Sequence, residues 1–231
     1  MNIAVWITMT CLAGIQETKD PDDAIEKLAS DLQGALKKAP TDADARGKMT
    51  TAAKAVFDRD IANAAPKVSK AIWDWQTHFL EMLIVADKKF ATAGQKTERA
   101  IYITACKSTF GRQILSYKES SLEDSKQPTV DDVFGEFFDA IGKAKGSYTS
   151  ESSADLRSAA YNGAKDIFGK MIQKARGIAK DPQRWYDEQL VRIDKEFSIT
   201  TEKGKKWNTE PNAALKTAAK TAFDRALKAE K

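Results

Sequence analysis

The 231-residue chain predicts an all-α fold: about eight amphipathic helices in a bundle, with an extended N-terminal arm. Three observations predict it. Apolar residues recur at steps of three and four over most of the length, the period of a helix with one buried face. All six prolines stand at or near a place where a helix would begin. Only residues 1–15 alternate with a period of two, apolar at every odd position from Met1 to Ile15.

That alternation, rich in Val, Ile, Trp and Thr, is the pattern of a strand. A lone strand in a helical domain leaves backbone groups that seek a partner. The arm, residues 1–16, is therefore expected to serve assembly, docking Ile3, Val5, Trp6, Ile7 and Met9 on a neighbouring molecule or, failing that, on the chain's own helices. A secretory signal fits less well, because the segment lacks a basic start and Thr8 and Thr10 interrupt it.

The helices follow in order. The first spans 21–38, capped by Asp20-Pro21, with Ile25, Leu28, Leu32 and Leu36 inward. The second covers about 42–64, with Met49, Val56, Phe57 and Ile61 inward; Pro66 then kinks or separates it from the third. The third, 67–92, carries two apolar stripes, one through Trp75, Phe79, Met82 and Phe90 and one through Trp73, Leu80 and Ile84. A helix apolar on two sides is covered on two sides, so this one is expected at the centre. The fourth covers 97–119. The fifth, 129–145, begins at Thr129, whose Asp132 echoes a capping box, and Gly146 is its stop. The sixth, 152–179, presents Leu156, Ile167, Met171 and Ile178. The seventh, 182–198, uses Tyr186, Leu190, Ile193 and Phe197, and the eighth covers 212–230. Residues 17–199 form the bundle core, and 200–231 a basic loop and C-terminal helix packed on it.

One string repeats. Residues 51–59 match residues 217–225 at seven of nine positions, and 163–168 echo them faintly. Without a regular period the resemblance reads as Ala/Lys-rich helices converging on similar strings. Asp60 falls within the apolar arc of its helix, where the other copy has Ala226, and is expected at an exposed helix edge.

Chemistry-bearing patterns are absent. His78, the one histidine, sits on a polar face near Asp74 and Glu81 with no nucleophile indicated, and reads as solvated. No Glu-x-x-His, P-loop, Gly-x-Ser-x-Gly or Cys-x-x-Cys spacing occurs. Cys11 and Cys106 are far apart and read as two buried thiols. No enzyme activity, cofactor or metal is expected, and nothing approaches the roughly 18 apolar residues of a membrane span.

Charge is uneven under a net +4. Residues 1–36 hold six acidic against two basic residues, whereas residues 200–231 hold eight basic against four acidic. Trp207 follows Lys205 and Lys206, and Trp185 follows Arg184. Lysines that neutralise phosphates beside rings that stack on bases suit single-stranded nucleic acid. The residues expected to do this are Arg176, Lys180, Arg184, Lys203, Lys205, Lys206, Trp207, Lys216, Lys220, Arg225 and Lys228. An acidic front and a basic rear also attract copies head to tail.

The expected function is thus a non-enzymatic helical assembly subunit, coat- or nucleocapsid-like. It would link neighbours into a homo-oligomer through the arm and touch RNA or single-stranded DNA through basic C-terminal faces, in the cytoplasm or within a particle. The alternative is a secreted or membrane-surface interaction protein with residues 1–15 as signal or insertion segment.

Overall fold

The computed structural model of the chain describes residues 20–64, 72–116, 127–148, 153–177, 180–197 and 209–230. The N-terminal arm, including Ile3, Val5, Trp6, Ile7 and Met9, lies outside the described residues. Among those residues the fold is all-helical, with eight α-helices and no strand: α1 Pro21–Lys38, α2 Ala43–Asn63, α3 Ile72–Phe90, α4 Lys96–Ser116, α5 Val130–Ser147, α6 Ala154–Ile172, α7 Pro182–Phe197 and α8 Thr209–Ala229.

The helix starts follow the expected chemistry. Asp20 accepts from the Asp22 N–H at 3.1 Å and Asp42 from the Ala45 N–H at 2.9 Å. The echo at Thr129 is a complete capping box: the Asp132 N–H donates to Thr129 Oγ1 at 3.1 Å, and the Thr129 N–H to Asp132 Oδ2 at 2.8 Å. Several ends differ from expectation. Gly146 is still helical, and the cap is Tyr148. The sixth helix stops at Ile172 rather than 179, because the chain turns out to pair with the start of α5. There the Arg176 N–H donates to the Pro128 carbonyl and the Val130 N–H to the Arg176 carbonyl, at 3.0 and 3.3 Å. Alpha-helical geometry does not permit that pairing, so helix and bridge exclude each other. The second and third helices are separate, α2 ending at Asn63 and α3 beginning at Ile72.

The helices pack as four consecutive hairpins, α1/α2, α3/α4, α5/α6 and α7/α8. The first hairpin packs on the second mainly through α1 against α4, the second on the third through α3 against α6, and the third on the fourth through α6 against α8. The expectation of a central third helix holds in this sense, since α3 touches its own partner and both helices of the next hairpin. Each hairpin thus rests chiefly on its sequence neighbours, the arrangement of a helical repeat stack.

The echoed strings occupy equivalent places in this stack. Residues 51–59, 163–168 and 217–225 all lie on the second helix of a hairpin. On the remaining second helix, Thr104, Ala105, Lys107, Phe110 and Arg112 match five of the nine positions of 51–59. Aligned this way, Thr51, Thr104, Asn162 and Thr217 are spaced 53, 58 and 55 residues apart. The strings therefore mark a fourfold helical-hairpin repeat rather than convergence of composition. First helices align as well. Ala24, Trp75, Val133 and Trp185 are equivalent and buried, as are Leu32, Leu83, Ile141 and Ile193.

Polar contacts repeat in the same register. The cation at the ninth position of the string reaches the C-terminus of the preceding second helix. Arg112 donates to the carbonyls of Ile61 and Ala64, Lys170 to that of Ile114 at 3.2 Å, and Arg225 to that of Ile172. Ile61, Ile114 and Ile172 are themselves equivalent residues, two beyond that cation in their own repeats. A cation at a helix C-terminus satisfies orphan carbonyls and complements the dipole. Within hairpins, Arg46 donates to the Ala39 and Pro40 carbonyls at 3.5 and 2.9 Å, and its equivalent Arg157 to the Tyr148 carbonyl at 2.8 Å.

Small residues set the hairpin spacing. Ala53, Cys106, Ala164 and Ala219 share one buried position. At Gly163 a Cβ would lie 3.0 Å from Gln76 Oε1 and 3.1 and 3.2 Å from the rings of Phe79 and Phe110. A side chain at this position would press those neighbours aside, so glycine favours the close approach of α6 to the second hairpin. Two core expectations are corrected. Met49 is 37% exposed rather than inward, and Asp60 is buried, its carboxylate 3.0 Å from Arg59, rather than an exposed edge.

Candidate nucleic-acid interface

The residues expected to contact a polyanion fall into groups that the fold keeps apart. Arg176 and Lys180 are exposed on the segment joining α6 to α7. Arg184 is exposed on α7 and held by Glu188 at 2.9 Å, one turn on. Helices α7 and α8 run antiparallel, with Lys216 2.9 Å from Asp194 and the Tyr186 and Phe223 ring centroids 4.8 Å apart. Lys228, in the last turn of α8, therefore shares the end of the hairpin that carries Arg184, while Lys216 lies toward the other. Arg225 is partly buried and spent on the Ile172 carbonyl, a contact within the fold. Lys203, Lys205, Lys206 and Trp207 lie outside the described residues. Trp185 is no stacking platform: it is buried, donates through Nε1 to Asp131, and meets the Phe134 ring edge-on at 5.2 Å.

Lys220 belongs to a set that the sequence reading missed. It is the fourth residue of the repeated string, equivalent to Lys54, Lys107 and Lys165, and all four are exposed. The chain thus carries one exposed lysine per hairpin, at the same position of each second helix. The first position of the string, Thr51, Thr104, Asn162 and Thr217, is also exposed and polar every time. Lys54 is paired with Asp58 at 2.5 Å, and Asp224 takes the corresponding place after Lys220. After Lys107 and Lys165 that place is glycine, Gly111 and Gly169, so the middle of the row has no carboxylate one turn on. The signal was present in residues 104–112, where Cys106 in place of alanine and Gly111 in place of aspartate obscure the match.

A groove of about 620 Å³ lies beside this row between α6 and α8. Phe137, Phe168 and Ala218 line its apolar part, and Lys165, Asn162 and Thr217 its polar part. Burial pushes the pKa of Tyr161, on the same wall, above the usual phenol value.

A second concavity, about 450 Å³, lies between the first and second hairpins. It holds His78, which is partly buried rather than solvated, with Nε2 2.7 Å from Asp22 of α1 and Nδ1 3.8 Å from Glu81. Tyr102 and Cys106 sit behind it. Burial pushes both pKa values far up, the tyrosine further raised by the neighbouring thiol, so Cys106 is held as a neutral thiol rather than a nucleophilic thiolate. Among the described residues no cluster of three His, Cys, Asp or Glu side chains forms a metal site, and no helix is long and apolar enough to cross a membrane. No protein-family model, curated protein or solved structure matches the chain.

Proposed function

We propose that the chain is a non-enzymatic helical assembly subunit, coat- or nucleocapsid-like, whose second-helix face lies along a polyanion such as RNA or single-stranded DNA. The observation that supports this reading is the recurrence of one exposed lysine per hairpin, Lys54, Lys107, Lys165 and Lys220, at the same position of each second helix. A nucleic-acid backbone is a regular array of phosphates, and a row of cations at regular intervals neutralises it without reading sequence. The uncompensated middle of the row, Lys107 and Lys165, carries most of the attraction. Arg176, Lys180 and Lys228 extend the basic surface at the C-terminal end.

Fluorescence anisotropy with a labelled 30-nucleotide RNA, titrated between 50 and 200 mM salt, tests the reading. Affinity is expected to fall with salt, with a log–log slope of about −0.7 per phosphate contacted. The double variant Lys107→Glu, Lys165→Glu is expected to weaken binding at least tenfold and to flatten the slope by about 1.4. Binding that is indifferent to salt, or unchanged in the double variant, sinks the proposal.

A further inference from the structure

We infer that copies of this chain join head to tail, the α7/α8 hairpin of one copy seating the α1/α2 hairpin of the next as each internal hairpin seats its successor. The inference rests on the assembly reading above and supplies its geometry.

The internal interfaces are the template. Three positions on each second helix face the preceding hairpin. The first is held by Tyr102, Ala160 and Leu215, all buried, and the Ala160 carbonyl accepts from Gln76 of the preceding hairpin at 3.3 Å. The second is held by Ala105, Gly163 and Ala218, and Gly163 lies directly against Gln76 and Phe79. The third is held by Thr109, Ile167 and Ala222, all buried. The ninth-position cation, Arg112, Lys170 or Arg225, completes the stripe by donating to the preceding hairpin.

The first hairpin carries the same stripe, and among the described residues no hairpin precedes it to cover the stripe. Its residues are Met49, Ala52, Val56 and Arg59, spaced to lie along one side of α2. Met49 is 37% exposed, Ala52 is exposed, Val56 is half-buried, and the Arg59 side chain is 59% exposed.

The last hairpin carries the complementary half. Ile61, Ile114 and Ile172, which receive the following hairpin, are partly buried, 6% exposed and 3% exposed, whereas their equivalent Leu227 is 41% exposed. On α7, Tyr186 and Leu190 are only partly buried, where the equivalent Ile25, Gln76 and Phe134, and Ala29, Leu80 and Phe138, are buried. Arg59, held by the Asp60 carboxylate at 3.0 Å within its own copy, stands at the position from which Arg112, Lys170 and Arg225 meet the C-terminal carbonyls of α2, α4 and α6, and in the joined state it would meet those of another copy's α8. Such a contact joins unlike faces, so copies add head to tail into an open filament unless the rotation per copy closes a ring.

Ala52→Glu blocks the front face and Leu227→Glu the rear face. Both positions are exposed, and circular dichroism of each variant verifies the fold. Sedimentation of the full chain at 5–500 µM, with and without a 30-nucleotide RNA, is expected to show mass rising with concentration and no fixed end point. Each variant alone is expected to remain monomeric. A one-to-one mixture, which retains one good front and one good rear, is expected to form a dimer and nothing larger. If both variants associate like the parent, copies join through another surface, and the head-to-tail inference falls while the assembly reading stands. If the parent is monomeric throughout, both fall together. A Met49→Cys chain that forms an internal disulfide with Cys11 puts the N-terminal segment on this face and overturns the inference.

Discussion

Replacing Ile172 and Leu227 by alanine, one at a time, separates repeat position from burial. The two residues occupy the same step of the repeat, and both substitutions remove three carbons. Ile172 is 3% exposed beneath the fourth hairpin, and Arg225 holds its carbonyl. At about 0.8 kcal/mol per buried CH₂ the lost transfer free energy is about 2.4 kcal/mol, and the cavity left under α8 raises the total to about 3 kcal/mol. Leu227 is 41% exposed and bounded on one side by solvent, so only about 60% of the transfer term is lost and no closed cavity forms. Its cost is about 1 kcal/mol after the small gain in helix propensity. Urea unfolding followed by circular dichroism at about 1 µM, where copies are kept apart, reads both values. The midpoint of Ile172→Ala is expected to fall about three times as far as that of Leu227→Ala. Equal shifts would mean that the following hairpin does not bury this position, and the repeat register would be wrong.

Other perturbations follow from the same contacts. Arg112→Met removes charge-assisted bonds to two carbonyls at the α2 C-terminus and is expected to cost about 2–3 kcal/mol in the same urea assay; a loss under about 0.5 kcal/mol rejects the clasp. Gly163→Val drives side-chain atoms into Phe79 and Phe110 and is expected to cost about 3 kcal/mol, whereas Gly169→Ala, with nothing within 4 Å of the added carbon, is expected to stabilise by up to about 1 kcal/mol. The reverse order refutes the close approach of α6. The Thr129 side chain and then its N–H hold the Asp132 pKa below the usual carboxylate value. A pKa depressed in the folded state contributes stability that is present above the unfolded value and lost as pH falls through the folded one. Asp132→Asn is therefore expected to lower thermal stability at pH 7 and to close the gap with the parent on acidification below about pH 4. A gap that widens in acid contradicts the capping geometry.

The helices were legible because each rests on local rules. Asp20-Pro21, Asp42 and Thr129 announce their starts, and the step of three and four through Trp75, Phe79 and Met82 announces a buried face. Met49 and Asp60 were misplaced for a different reason. Periodicity reports which side of a helix is apolar but not whether another element covers it, and α2 lies at the front of the stack. The early end of α6 depends on a pairing between Arg176 and residues 128–130, some fifty residues away in sequence. The row of lysines was hidden because lysine on a helix surface is unremarkable singly; only alignment of four hairpins shows that Lys54, Lys107, Lys165 and Lys220 share a place. Arg225, counted from sequence as a phosphate ligand, cannot be distinguished from its neighbours until its acceptor at Ile172 is seen.

The direction of the clasps orders events in time. Each cation lies 51 to 56 residues after the carbonyl it secures: Arg112 after Ile61, Lys170 after Ile114, Arg225 after Ile172. During synthesis a hairpin therefore emerges with its second helix unfastened, and is locked only when most of the next hairpin has been made. At about 5–20 residues per second that interval is several seconds, far longer than helix formation. The order these contacts predict during synthesis is successive latching from the N-terminus, each new hairpin finishing the one before it.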